Sequence, residues 1–240
     1  MNKMYTMEDF LNIIETLRSE GGCPWDREQT HDTLRPCMVE EAYELVSAIG
    51  IYEKSSSYEN MREELGDVLL QVVMHSQIAK EEGLFSFEDV VQEVAAKMVH
   101  RHPHVFGQVE VSNSNEVIQN WEELKKQEKE GKAWIASPLQ EVPKELPALI
   151  RSSKVHKKIR QVYHVEENEI AAVNTMQELT SQLGKILQTD ETESDKETLT
   201  NILGDLLMEI TTVASIEKIN VEQILADKID DLIDRVENNQ

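Results

Sequence analysis

Apolar residues along this chain recur at intervals of three and four, the period of a helix buried along one face. Phe10, Leu11, Ile14 and Leu17 predict a first helix, stopped by Gly21-Gly22 and Pro24. A second is predicted over about 34–52, with Pro36 in its first turn, where a missing N–H costs nothing. "YEKSSSYEN" has the composition of a loop, and a third helix follows over about 58–82, ending at Gly83. Ser86 is placed to cap a fourth, "FEDVVQEVAAKMVHR", whose Glu88 and Asp89 suit the positive end of the helix dipole; His102-Pro103 ends it. Ser114 is placed to cap a fifth, "NEVIQNWEELKKQEKEG", closed by Gly131.

After that the pattern breaks. "ASPLQEVPKELPALI" sets Pro138, Pro143 and Pro147 within ten residues, a spacing that permits no long helix and reads as an extended linker. The chain divides accordingly into a first domain over 1–135, a linker over 136–148 and a second domain over 149–240. The halves resemble each other. "LGDVLLQVV" from Leu65 matches "LGDLLMEIT" from Leu203, "AAKMVHR" from Ala95 resembles "LADKIDD" from Leu225, and "VEEAYELV" corresponds loosely to "MQELTSQL" from Met176. Three matches in the same order suggest duplication, set against the similarity that helical composition alone produces.

Composition narrows the class to all-α. Of 240 residues 40% are hydrophobic, enough for a core, while aromatics are 5% and glycine and proline are few. The formal net charge of −22 repels nucleic-acid phosphates and anionic membranes, so neither is an expected partner. An acidic protein still binds an anionic substrate where divalent cations and a local basic cluster mediate the contact. No apolar run approaches the roughly 18 residues of a membrane span, and the first ten residues lack a secretory pattern. Cys23 and Cys37 have no C-x-x-C spacing and read as reduced thiols, which points to the cytoplasm.

Charge placement raises the functional question. Glu41 and Glu44 share one helix face, and so do Glu64 and Asp67, each pair set among apolar residues. If the two helices pack antiparallel through Leu45, Ile49, Leu65, Val68 and Leu69, the pairs meet. Four carboxylates at short range repel unless cations neutralise them, and oxygen-only ligands suit magnesium or manganese. A solvated acidic face paired with Arg35, Lys54 or Arg62 is the plain alternative, and two interleaved pairs on adjacent helices weigh against it. "HRHPH", with His100, His102 and His104, is a weak zinc signal because Pro103 breaks its geometry. "EQTH" supplies one E-x-x-H where a di-iron bundle needs two. There is no phosphate loop and no G-x-G-x-x-G, so phosphate binding would use metals and cationic side chains.

"GGCPWDREQTHDTL", "EEAYELVSAI", "EELGDVLLQVVMHSQIA", "KMVHRHPHVFG" and "NWEELKKQEK" resemble the MazG family of nucleoside triphosphate pyrophosphohydrolases, through most of 8–130 and more weakly to the end. The resemblance implies tandem all-α helical hairpin domains that pair into four-helix-bundle-type assemblies, usually as a homodimer. It implies magnesium-dependent hydrolysis of a nucleoside triphosphate to the monophosphate and pyrophosphate. The family's E-x-x-E and E-x-x-D motif falls on Glu41, Glu44, Glu64 and Asp67 as metal ligands. Glu40, beside them, is the candidate for orienting or deprotonating the attacking water. Lys97 and Arg101 would grip phosphate oxygens, and Trp121 would stack on base or ribose with Lys125 one turn on. Trp25, Asp26 and Gln29 would cover the mouth, Trp25 equally serving to pack the loop.

The second half departs from that pattern. Only Glu178 and Asp205 survive from the motif, Ile202 stands where a glutamate belongs, Asp231-Leu232 replaces His100-Arg101, and no counterpart of the Trp121 segment follows. Two carboxylates cannot assemble a multi-cation site, so the second half is expected to be structural or dimerising and the active site to lie in the first. The rival reading is a catalytically silent helical dimer that regulates or binds a partner.

Overall fold

In the computed structural model, which describes residues 4–128, 137–188 and 193–238, every regular element among the described residues is a helix. Helix α1 (Met7–Arg18) is fixed at its start by a reciprocal cap: the Thr6 hydroxyl accepts from the Asp9 N–H and the Asp9 carboxylate accepts from the Thr6 N–H. Behind it the chain doubles back so closely that a side chain at Gly22 would collide with the Leu17 carbonyl. Cys23 N–H donates to that carbonyl at 2.8 Å, and a short helix α2 (Pro24–Glu28), not foreseen from periodicity, follows with proline in its first position.

Helix α3 (His31–Ser55) begins three residues earlier than its apolar period predicts, because the Thr30 hydroxyl caps the Thr33 N–H. Pro36 therefore sits in the second turn, not the first, and leaves the Asp32 carbonyl without its usual helical donor. Ser56 in the left-handed region (φ 60°) reverses the chain into α4 (Glu59–Glu81), which Gly83 (φ 72°) terminates. The α3–α4 hairpin is the first unit's largest helix contact. At one end Ile14, Leu34, Val73, Met74 and Ile78 form the core, with Phe10, Leu11, Leu17, Leu70 and Phe87 around them. The Arg18–Glu81 ion pair and Lys80–Glu15 clamp α1 along α4. Helix α5 (Phe87–Arg101) carries the cap expected of Ser86, closed by Asp89, followed by α6 (Pro103–Phe106) and α7 (Ser114–Gln127). Asn113, not Ser114, caps α7: its side-chain oxygen accepts from the Asn115 and Glu116 N–H groups. Gly131, expected to close that helix, lies outside the described residues.

Contacts divide the chain into Met1–Glu130 and Gly131–Gln240. In the second unit, α10 (Glu193–Ile216) packs on both α8 (Ala148–Tyr163) and α9 (Glu169–Ile186), and α11 (Val221–Glu237) rests on α8. The proline-spaced stretch is a series of turns, not an extended run; Val142 is buried and Glu141 pairs with Lys158 of α8. Hydroxyls and charges knit α8 to α10. Ser152 bonds Thr211, His156 bonds Thr212, and Arg160 donates to Ser215, while Glu167 takes both His156 and Arg160. One correction concerns membranes: Asp195–Ile216 is long and apolar enough to span one by length and composition. A helix packed on two neighbours meets the same test, and α10 is that helix in this unit.

Both hairpins leave apolar stripes uncovered. Val39, Tyr43 and Val46 of α3 and Leu65 and Leu69 of α4 are exposed in the first unit, and Leu203, Leu207 and Ile210 of α10 in the second. Across the first seam, His31 and His75 stack with their rings 2° from parallel and their Nδ1 atoms 2.8 Å apart, and His31 Nε2 lies 3.8 Å from Glu82. Burial first, then the His31 ring, push the His75 imidazole below its ordinary value of 6.5. The unfolded chain takes up a proton near that value while the folded one resists it, so this contribution is complete above pH 6.5 and declines as pH falls below. In thermal melts between pH 8 and 5, His75→Gln is expected to lose less stability than the parent below about pH 6.5. Parallel curves for the two proteins would assign the acid slope to other groups.

Candidate active site

The spacing of α4 sends Glu64 and Asp67 to one face, and antiparallel packing sets that face against Glu41 of α3. The three carboxylates, all half-buried, offer oxygens within 4.8 Å of one another. Two unit charges about 4 Å apart repel by roughly 1 kcal/mol in water and several times that near a protein surface. Among the described residues no lysine or arginine pairs with Glu41, Glu44, Glu64 or Asp67 to offset this; Arg35 turns to Asp32 and Arg62 lies over the Tyr58 ring. Burial first, then Asp67, Glu44 and Glu40, raise the Glu41 carboxyl above its ordinary range. Burial first, then Glu44, Asp67, Glu63 and Glu41, do the same for Glu64. An uncompensated, oxygen-only donor set straddling a rigid hairpin fits a hard divalent cation.

Glu44 is exposed and outside the group of three, though its charge reaches both Glu41 and Glu64. Glu40 is likewise exposed, one residue round the helix from Glu41. Of the mouth residues, Trp25 is 60% exposed. Gln29 is engaged at both ends of its amide, donating to the Trp25 carbonyl at 2.8 Å and accepting from the Thr33 hydroxyl at 2.9 Å. The loop that carries them hangs on Arg18, which sequence reasoning missed. Its guanidinium, 6% exposed, donates to the Asp26 and Gln29 carbonyls while pairing with Glu81. The signal for Arg18 was a lone arginine in the last turn of a helix, indistinguishable from a dipole cap.

The cationic and aromatic residues gather on α5 and α7. Lys97 pairs with Glu93 one turn away at 2.8 Å. Arg101 pairs with Glu128 and lies over Trp121, whose ring His102 meets edge-on at 4.9 Å between centroids. Lys125 lies one turn beyond Trp121 on α7, half-buried. Gln71, one turn past Asp67, is also new: it is buried and its Oε1 has no hydrogen-bond partner. In the second hairpin the matching positions do not gather. Ile202 is buried at 4% exposure while Glu178 and Asp205 are exposed, and no metal-ligating group forms there among the described residues.

Residues 29–106 match the model of the MazG nucleotide pyrophosphohydrolase domain, a span containing all three clustered carboxylates. A Thermotoga maritima protein named nucleoside triphosphate pyrophosphohydrolase/pyrophosphatase MazG is 37% identical over 218 residues, 91% of this chain and 79% of that one. An Escherichia coli protein named nucleoside triphosphate pyrophosphohydrolase is 42% identical over 160 residues, and YabN of Bacillus subtilis 49% identical over 148. The matched segments cover 66% and 62% of this chain but only 59% and 29% of those two proteins.

A cation seat makes a prediction independent of turnover. Magnesium at millimolar concentration is expected to raise the melting temperature by at least about 2 °C over EDTA. Glu41→Gln is expected to raise the EDTA melting temperature slightly, by removing repulsion, and to abolish the magnesium increment. Equal magnesium responses in the two proteins would show that the cation binds elsewhere.

Proposed function

The chain belongs to the MazG family, and from that premise we propose that its first unit hydrolyses nucleoside triphosphates, ribo- or deoxy-, to the monophosphate and pyrophosphate. The observation that carries the reading is the group of three carboxylates, which has no cationic partner among the described residues. Glu41, Glu64 and Asp67 would hold magnesium, or manganese in its place, with Glu44 one turn further along α3 as an additional ligand. When bound, the cation supplies positive charge that acidifies water and neutralises leaving pyrophosphate. Glu40 orients or deprotonates the attacking water from the exposed side of α3. Lys97, Arg101 and Lys125 meet phosphate oxygens, Trp121 supports base or ribose, and the loop of Trp25, Asp26 and Gln29 covers the mouth.

The exposed stripes on both hairpins support a homodimer in which hairpins pair into four-helix bundles, since faces of this kind need a partner. We read the second unit as structural and dimerising, because its hairpin buries an isoleucine where the first carries a ligand. The cytoplasm is the proposed compartment, from two cysteines that form no disulfide.

Pyrophosphate release from a panel of NTPs and dNTPs with magnesium tests the chemistry. Turnover is expected to fall at least about a hundredfold in Glu41→Gln and to persist in Asp205→Asn. No release by any of the three proteins would leave a silent helical module in place of an enzyme. For assembly, light scattering is expected to give twice the chain mass, and Val46→Glu, which sets charge on the exposed stripe, to shift the protein toward monomer. A parent protein that is already monomeric at micromolar concentration would remove the dimer.

A further inference from the structure

Arg101, the last residue of α5, is held from two sides. Its Nε donates to both Glu128 carboxylate oxygens at 3.1 and 3.2 Å, and Nη2 makes a shorter bond to Oε2. Its guanidinium carbon stands 5.2 Å from the centroid of the Trp121 ring. Both partners are mostly buried, at 14% and 19% side-chain exposure. A residue assigned to phosphate oxygens thus already carries a carboxylate, which by charge alone should weaken its hold on an anion.

Two arrangements would reconcile these facts. Glu128 could be a plug that the triphosphate displaces, or a brace that stays. Exposed ion pairs are weak enough to be exchanged. A half-buried bidentate pair is exchanged less readily, because separating its partners breaks two charge-assisted hydrogen bonds and leaves a partly desolvated charge unmatched. The donor count fits the brace. Arginine has five N–H groups, and Glu128 engages only the edge bearing Nε and Nη2, which leaves the Nη1 pair for another acceptor. Clamped by carboxylate and indole, the fork has little rotamer freedom left to lose on meeting an anion.

We propose that Glu128 is a positioning residue: it braces the Arg101 guanidinium over Trp121 so that its free edge meets phosphate oxygens of the nucleotide. This rests on the function proposed above. It makes α7 part of the phosphate seat through a residue of the wrong charge to touch phosphate itself.

The test turns on a sign. If charge alone mattered, removing the carboxylate would tighten anion binding; if Glu128 is a brace, binding weakens. Glu128→Ala and Glu128→Gln are compared with the parent for KM and kcat on the best nucleoside triphosphate. The dissociation constant of magnesium pyrophosphate is measured by calorimetry and folding by thermal melts. Glu128→Ala is expected to raise KM and the pyrophosphate constant about tenfold, with kcat changed by less than about threefold. Glu128→Gln, which still accepts one hydrogen bond, should fall between. Unchanged or lower values in either folded variant overturn the brace, and so does a lower melting temperature with binding intact, which would make Glu128 only a strut of α7. A parent protein that turns over no nucleotide and binds no pyrophosphate refutes the proposed function itself, a result the Glu128 variants cannot produce.

Discussion

Repulsion among Glu41, Glu64 and Asp67 is the constraint around which the first unit is organised. Carboxylates at this separation push α3 and α4 apart, and no basic side chain among the described residues pairs with them. What keeps the seam closed lies further along it. Leu34 of α3 packs with Val73, Met74 and Ile78 of α4, and Ile14 of α1 joins them. The stacked His31 and His75 close the same end. Apolar burial contributes roughly 25 cal/mol per Å² and has no charge to screen or titrate, whereas the carboxylate cluster responds to ionic strength and pH. Adhesion and the carboxylate group thus occupy different turns of the same two helices.

The basic residues follow a complementary rule. In a chain of net charge −22, basic side chains of the first unit are held by acids instead of being left to wander: Arg18 by Glu81, Lys97 by Glu93, Arg101 by Glu128. The single-contact Lys97 pair is weak and yields readily, while the two-pronged arginine pairs, each with its guanidinium mostly covered, fix geometry. Arg18 and Arg101 do comparable work at the C-terminal ends of α1 and α5, one hanging the α2 loop from its carbonyls, the other joining α5 to α7.

Periodicity revealed the main helices because their apolar stripes are long, and the cap at Ser86 was legible because serine and Asp89 stand at the required spacing. Where local chemistry decides, the reading slipped. Thr30 captures three extra residues for α3 and so moves Pro36 into the second turn; Asn113 outcompetes the adjacent Ser114 as a cap. Helices of four or five residues, α2 and α6, are too short to carry a period at all. The carboxylate cluster was visible as two spaced pairs, yet spacing fixes a face and not a distance, so it could not say that Glu44 stands outside the group of three. Arg18, Gln71 and Glu128 act through partners 63 residues away, through burial and through 27 residues of separation, none of which local spacing encodes.

Ile202 limits what the second hairpin can carry. Its position corresponds to Glu64, but it is buried, so a glutamate placed there would sit in apolar surroundings without a partner. A buried ionised carboxylate is among the most costly single changes a domain can suffer unless compensating groups arrive with it. A glutamate at this position would need several accommodating changes at once, since the single substitution alone is destabilising. One exchange at Ile202 therefore cannot give the second hairpin the carboxylate group that the first displays.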